Sequence, residues 1–295
     1  MIPNIAGLAG LALAAAATAL AQDACNGHVE LCDRRYSDIT FAAAHNAAFV
    51  GRGPSHNQFV YPEQDMDNGI RYLTTQVHIE DGEIRQCHSD CFLLDVGPFS
   101  EMVVSVKNWL DDHPREVVTL LIVNSDDNIL IEEFMPAFED AGAVDMLFQP
   151  GGNLALDEWP TLGELIDDGK RFIVFMDYNA DLAKVPYIIP EFEHYIETPF
   201  SPTSDNFFNC DVHRPSEDAP VDERMIFVNH NLNKKVIGDV LIPDQGAAAD
   251  TNSEDNILRQ TDICVEKHGR NPNVVMLDFV TEGDVIKVQD LLNGL

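Results

Sequence analysis

Ile39-Thr40-Phe41-Ala42-Ala43-Ala44-His45-Asn46 is the stretch on which the fold reading turns. Six apolar or β-branched residues run without alternation into a His-Asn pair. An unbroken run of this length fits a strand covered on both faces, as parallel sheets contain. A polar pair on the last residues of such a strand belongs at the mouth of a barrel or sheet, where these folds keep their chemistry.

The same pattern repeats outward from it. Residues 71–78 read as a second strand whose alternation puts Thr74, Gln76 and His78 on one side and Leu73, Thr75 and Val77 on the other. A turn at 80–82 leads into a short returning strand, 83–88, which ends in Cys87-His88. Further strands are expected at 117–123, 171–176, 225–228 and 274–277, ending at Asn124, Asp177, Asn229 and Asp278. Helical spacing fills the intervals: 98–113, with Phe99, Met102, Val103, Val106 and Leu110 on one stripe, then 129–140, 161–168, 256–268 and 284–292. Thr161 and Glu164 make a capping box. Residues 186–210 are irregular, with one short strand near Tyr195 and Ile196, and 233–256 read as loop. Alternating strands and helices argue a parallel sheet. Polar residues gathered at one end of successive strands favour a closed α/β barrel over an open doubly wound sheet. No Gly-x-Gly-x-x-Gly or Walker loop follows any strand.

Residues 1–21 carry no charged side chain, are rich in Ala, Leu and Gly, and end in Ala19-Leu20-Ala21. That is the pattern of a cleavable secretory signal, which leaves 22–295 as one domain outside the cell. The net charge of −32, from 50 acidic and 18 basic residues, excludes nucleic acid as a partner and disfavours anionic membrane. At most, peripheral contact with an uncharged interface remains. Six cysteines behind a signal peptide imply disulfides. Proximity suggests Cys25–Cys32 and Cys87–Cys91, leaving Cys210–Cys264, although six cysteines allow 15 connectivities.

Two histidines at strand ends are the natural acid–base pair for a phosphodiester: one takes a proton from the attacking oxygen, the other gives one to the leaving oxygen. His45 and His88 fit, and Asp278 is the acid to hold His45 in one tautomer. A closed barrel sets the last strand beside the first, so it predicts that Asp278 and His45 meet.

The ordered set Ala43-Ala44-His45-Asn46, Asn68-Gly69-Ile70-Arg71, Gln86-Cys87-His88, Glu116-Val117-Val118-Thr119, Phe175-Met176-Asp177-Tyr178 and Leu277-Asp278-Phe279 resembles the X-domain of phosphatidylinositol-specific phospholipases C, and within it the secreted fungal PLC-like phosphodiesterases. The resemblance implies a distorted TIM (β/α)8 barrel and attack of an inositol hydroxyl on phosphorus, with His45 as general base, His88 as general acid and Asp278 orienting His45. Asn46 matches a calcium-ligand Asn of eukaryotic members. Substrate contacts are expected from Asn46, Gln76, His78, Asp177 and Asn229, and the partner is a phosphodiester small molecule or a phospholipid headgroup. Calcium is in doubt: Thr74 and Gln76 replace the second strand's usual charged residues, and Val123 stands where a ligand Glu is expected, with Asn124 next. Asn46 and Asn124 are the remaining metal candidates, with Asp126 in reserve. Two other readings stand beside this one. One is a catalytically weak barrel that binds inositol phosphates or phospholipid headgroups. The other is a metal-dependent glycerophosphodiester-type phosphodiesterase, whose Glu-and-Asp cluster this second strand lacks.

Overall fold

The computed structural model describes residues 23–295 except 127, 237 and 239; the expected signal segment lies outside the described residues. Eight strands form one parallel sheet: β1 (Phe41–Ala44), β2 (Tyr72–Glu80), β5 (Val118–Asn124), β6 (Phe172–Met176), β7 (Ile188–Pro190), β8 (Tyr195–Glu197), β9 (Met225–Asn229) and β12 (Val274–Leu277). Their spatial order is β7-β6-β5-β2-β1-β12-β9-β8. Read from β1, this is the order of a barrel whose strands follow the chain, with the last strand paired to the first. The result is a distorted (β/α)8 barrel. Its hydrogen-bonded circuit is interrupted between β7 and β8, which are joined by the single-turn helix α5 (Glu191–His194). The residues around Arg214 lie antiparallel along β8 instead, through an isolated bridge between Glu197 and Arg214.

β1 shows why an all-apolar run of small residues is needed here. Phe41 and Ala43 belong to the cluster filling the barrel, with Tyr72, Leu121, Phe175, Tyr195, Phe227 and Met276. Ala42 and Ala44 belong to the shell between barrel and helices, with Leu73, Val77, Leu120, Val174 and Leu277. Every residue of β1 is buried, so a polar side chain on either face would be desolvated without a partner. β1 pairs with β2 only at Ala43 and Ala44. Its earlier amides are taken by the last helix, α8 (Val285–Asn293): Asn293 Oδ1 accepts from Thr40 N at 3.0 Å and Gln289 Oε1 from Ala42 N at 2.9 Å.

β2 alternates as expected, with Leu73 and Val77 outward and Tyr72 inward. It runs on to Glu80, well past the last pair it makes with β5, Val77 with Asn124. The extension forms a hairpin with β3 (Glu83–Cys87), and β4 (Asp95–Pro98), for which the sequence carries no strand pattern, continues it. His78 is therefore mid-strand on the hairpin, not at a strand end. After a short α1 (Pro62–Asp67), the expected helices appear as α2 (Phe99–Asp112), α4 (Leu162–Asp167), α7 (Glu254–His268) and α8. At 129–140 a 3-10 turn, Ile131–Phe134, leads into the short α3 (Met135–Asp140), because Pro136 supplies no amide to continue a regular ladder. The stretch read as loop, 233–256, holds a small hairpin, β10 (Asn233–Lys235) with β11 (Leu241–Pro243), and the one-turn helix α6 (Ala248–Thr251).

Disulfides join Cys25–Cys32, Cys87–Cys91 and Cys210–Cys264. The first stabilises the segment that closes the barrel bottom. There Tyr36 is wholly buried, its hydroxyl 2.9 Å from Thr119 Oγ1 and 3.3 Å from that of Tyr195, with Trp159 and Phe175 against its ring.

Candidate functional site

At the opposite end, the C-terminal ends of the strands surround a cleft of about 540 Å³. His45, Asn46, Thr74, Gln76, His88, Asn124, Asp177 and Asn229 all line it. The β1–β12 register explains the first contact. Ala44 is paired with Leu277, and His45 N donates to Leu277 O at 2.9 Å. The next side chains, His45 and Asp278, must then lie side by side. His45 Nδ1 is 2.8 Å from Asp278 Oδ1, which assigns the ring proton to Nδ1 and leaves Nε2 as the basic nitrogen.

Two residues that carry no motif clamp this pair. Asn57 is fully buried and donates through Nδ2 to Asp278 Oδ1 at 2.7 Å. Gln58, also fully buried, donates to His45 O at 2.9 Å and Leu277 O at 3.2 Å and accepts from Val280 N at 3.0 Å. Their only signal in the sequence is a polar Asn-Gln pair at the end of a Gly/Pro loop. Asn46 turns the chain away with φ +49°, its amide bonded to Thr74 Oγ1 at 2.8 Å and its side-chain nitrogen 3.3 Å from Asn57 Oδ1.

His88 arrives from the β2–β3–β4 extension. The Cys87–Cys91 link closes a tight loop around it, His88 N donates to Leu94 O at 3.0 Å, and the Phe49 ring meets the imidazole edge-on at 5.3 Å. Gln76 braces this loop: its Oε1 accepts from Ser89 N at 2.8 Å, and its Nε2 donates to Ser125 Oγ at 2.8 Å. Burial, and then the proximity of His45, lower the His88 pKa to about 4, against an opposing pull from Asp278. His88 is thus a neutral imidazole at neutral pH in the free protein.

The far wall carries charge. Asp177 Oδ1 accepts from Asn124 N and Tyr178 N, each at 2.8 Å. Burial raises its pKa to about 7, with those amides and Arg214 opposing and Glu197 adding to the rise. Arg214 crosses to the buried Glu197, with Nε 2.8 Å from Oε2 and Nη2 on the same oxygen. Its guanidinium lies 5.3 Å from the Phe192 ring and 5.1 Å from that of Phe200. Burial works against the Arg214 charge, but Glu197 and Glu191 together hold its pKa above the usual guanidinium value. Glu191, fully buried behind them, has its pKa raised by burial and then by Glu197. None of Glu197, Arg214 or Glu191 was legible in the irregular region that carries them.

His78 is the expected cleft residue that the structure does not place there. The β2 extension carries it past β5, where its Nδ1 lies 3.1 Å from Asp126 Oδ1. A calcium cradle does not fit the residues present. Thr74 and Gln76 are neutral and hydrogen-bonded to Asn46, Ser89 and Ser125, whereas calcium takes six to eight oxygens, commonly with carboxylates among them. Among the described residues no group of three or more His, Cys, Asp or Glu is placed to hold a metal ion. No step below is routed through one.

The chain is similar to known proteins both in sequence and in barrel fold. The chain is 48% identical over 276 residues, 92% of its own length and 90% of the relative's, to "PI-PLC X domain-containing protein 1" of Arthroderma benhamiae. It is 40% identical over 271 residues to an "Uncharacterized secreted protein" of the same fungus, covering 88% of this chain and 61% of that one. Among solved structures, the phosphatidylinositol-specific phospholipase C from Listeria monocytogenes superposes with a TM-score of 0.60 over 90% of this chain and 95% of that one. At 13% identity that likeness speaks for the barrel alone. The PI-PLC X family pattern matches residues 31–293, and the chain belongs to the phosphatidylinositol-specific phospholipase C X-domain family.

Proposed function

We propose that the protein is a secreted phosphoric diester hydrolase or lyase acting on phosphoinositide-like diesters. The observation carrying this reading is the cleft that receives both His45, bonded to Asp278, and His88. With phosphorus between the imidazoles, His45 Nε2 accepts the proton of a neighbouring substrate hydroxyl as its oxygen attacks. Asp278 stabilises the imidazolium that forms. His88 delivers a proton to the leaving oxygen. The anionic diester itself raises the His88 pKa by proximity, so the acid is charged only when substrate is bound. Water then opens the cyclic diester with the two histidines in exchanged roles.

Release of soluble headgroup from phosphatidylinositol in neutral detergent micelles, with and without chelator, tests the reading. His45→Ala, His88→Ala and Asp278→Asn should each lower kcat by about 10²- to 10⁴-fold, as expected for lost acid–base groups. Full turnover by His45→Ala would remove the proposal.

A second reading has its own observation. Among the described residues Arg214 is the one Lys or Arg lining the cleft, and it is held by Glu197. Transition-state charge is commonly the largest catalytic burden, so a barrel without a free cation would bind headgroups yet turn them over slowly. Headgroup binding with no release on any phosphodiester would favour it.

Three disulfides and the signal-like residues 1–21 support secretion. Among the described residues no helix is long and apolar enough to cross a membrane. Peripheral contact through the mouth is supported by exposed Phe92, Leu93, Tyr178, Phe200, Val236 and Val240 on the loops there.

A further inference from the structure

We propose that Asn231 is a positioning residue for His45, its side-chain carbonyl sharing the Nδ1 proton with Asp278 and steadying the imidazolium; this rests on reading His45 as the general base. Asn231 is 2% exposed, lines the cleft, and sets its amide against the ring, with Nδ2 3.4 Å from His45 Nδ1. In that setting the contact is no hydrogen bond. His45 Nδ1 lies 2.8 Å from Asp278 Oδ1, so it carries a proton in the neutral and in the charged ring, and two N–H groups would face each other. Asn231 Oδ1, meanwhile, is buried with no partner among the described residues. A half-turn of the amide about its terminal bond removes the mismatch at the ring. Oδ1 then accepts from Nδ1–H in a three-centre bond with Asp278. The NH2 is left on a cleft wall, where an anionic diester brings acceptors.

The chain on either side of Asn231 is tied down. Asn229 N donates to Thr198 Oγ1 and Asn229 Nδ2 to Thr198 O, each at 2.9 Å. His230 N donates to Met276 O on β12 at 2.8 Å, and its buried ring meets Thr251 O of α6 through Nε2 at 2.9 Å. Asn233 Nδ2 donates to Asn231 O at 2.9 Å, and Asp244 N to Leu232 O at 2.8 Å. These bonds fix the backbone and keep the Asn231 amide against the ring. A carbonyl turned to the ring favours the charged imidazole, whereas an NH2 there opposes it. Asp278 adjoins His45 directly, and His88 is near enough to feel its charge, with His56 acting on His88 in turn. Asp177, Glu197 and Arg214 stand elsewhere in the cleft. Substitution at 231 leaves all of these in place.

The His45 ring 1H–15N resonances, followed through a pH titration of histidine-labelled protein, read the proposal without requiring turnover. Asn231→Leu should move the His45 midpoint to lower pH by about half a unit to one unit, the worth of one hydrogen bond. Asn231→Asp should move it to higher pH by about one unit or more. The acid limb of kcat/KM on phosphatidylinositol should shift in the same two directions; a residue that only packs would leave it in place. Should Asn231→Leu not fold, Asn231→Ala carries the same expectation. Unmoved midpoints, or a shift to higher pH in the neutral variants, overturn the proposal. If the midpoints move as expected but no lipid is turned over, the catalytic reading falls and this one stands. If lipid is hydrolysed and the midpoints stay fixed, the catalytic reading stands and this one falls.

Discussion

Asn57 illustrates how much of this site rests on residues that do no chemistry themselves. Its buried amide is the second donor to Asp278 Oδ1, the oxygen that also holds His45. Asn57→Ala would leave that carboxylate short of a partner, and a lost hydrogen bond to a charged group is worth about 1.5–3 kcal/mol. We expect kcat/KM to fall about 10- to 100-fold on that scale, mostly in kcat, in steady-state assays on phosphatidylinositol. At His88 the sign of the pH effect follows from its lowered pKa of about 4. The ring is neutral above that value in the free protein, and a bound anion favours its charged form, so binding takes up a proton. Affinity for glycerophosphoinositol, whose diester charge stays constant, should therefore rise as pH falls from 8 toward the bound-state pKa, by at most about tenfold per unit. Calorimetry in buffers of different ionisation enthalpy would record the proton uptake, and His88→Gln should abolish it.

Among the elements, two disulfides have separable consequences. Cys87–Cys91 spans four residues and Cys210–Cys264 spans 54. Loop-closure entropy assigns them about 2 and about 4 kcal/mol respectively. Replacing Cys210 and Cys264 by Ala should lower Tm more. Replacing Cys87 and Cys91 should lower kcat more, because that short loop and the Gln76–Ser89 bond hold His88. Thermal melts and assays on both double variants would separate the two effects. The same contrast marks what could be read from sequence. Elements whose pattern is local were legible: the all-buried β1, the alternation of β2, and the striped α2. So was the meeting of His45 and Asp278, because a closed barrel dictates the β1–β12 pair. The Arg214–Glu197 pair was not. It joins an irregular loop to a three-residue strand, and neither has a periodic signature. His78 misled because strand alternation says which face a residue takes, not where the neighbouring strand stops.

For the molecule as a whole, charge and surface point the same way. At −32 the chain repels anionic bilayers, while Phe92 is 95% and Leu93 61% exposed beside the His88 loop. Burying one Phe is worth about 1.5–3 kcal/mol, so Phe92→Asp should weaken binding to phosphatidylcholine vesicles about tenfold or more in flotation assays. Bulk turnover of glycerophosphoinositol should stay unchanged. Acid should suit the fold. Asp65 is fully buried with no partner for either oxygen among the described residues, and burial, then Glu63, raises its pKa to about 8. A carboxyl whose folded pKa is raised favours the native state below its unfolded value, near 4, and loses that contribution as pH climbs through 8. Asp65→Asn should raise Tm at pH 8 by about 3 °C or more and leave it unchanged at pH 4. The interrupted circuit between β7 and β8 carries a last consequence. The half of the barrel that carries His45, His88 and Asp278 is knit by continuous ladders, while the half that carries Asp177 and Glu197 contains the break between β7 and β8, and there β8 is lined by the Arg214 segment through a bridge and an ion pair at Glu197. Mutation can rewrite the second half without loosening the first, so descendants of this scaffold are free to change diet while keeping the same teeth.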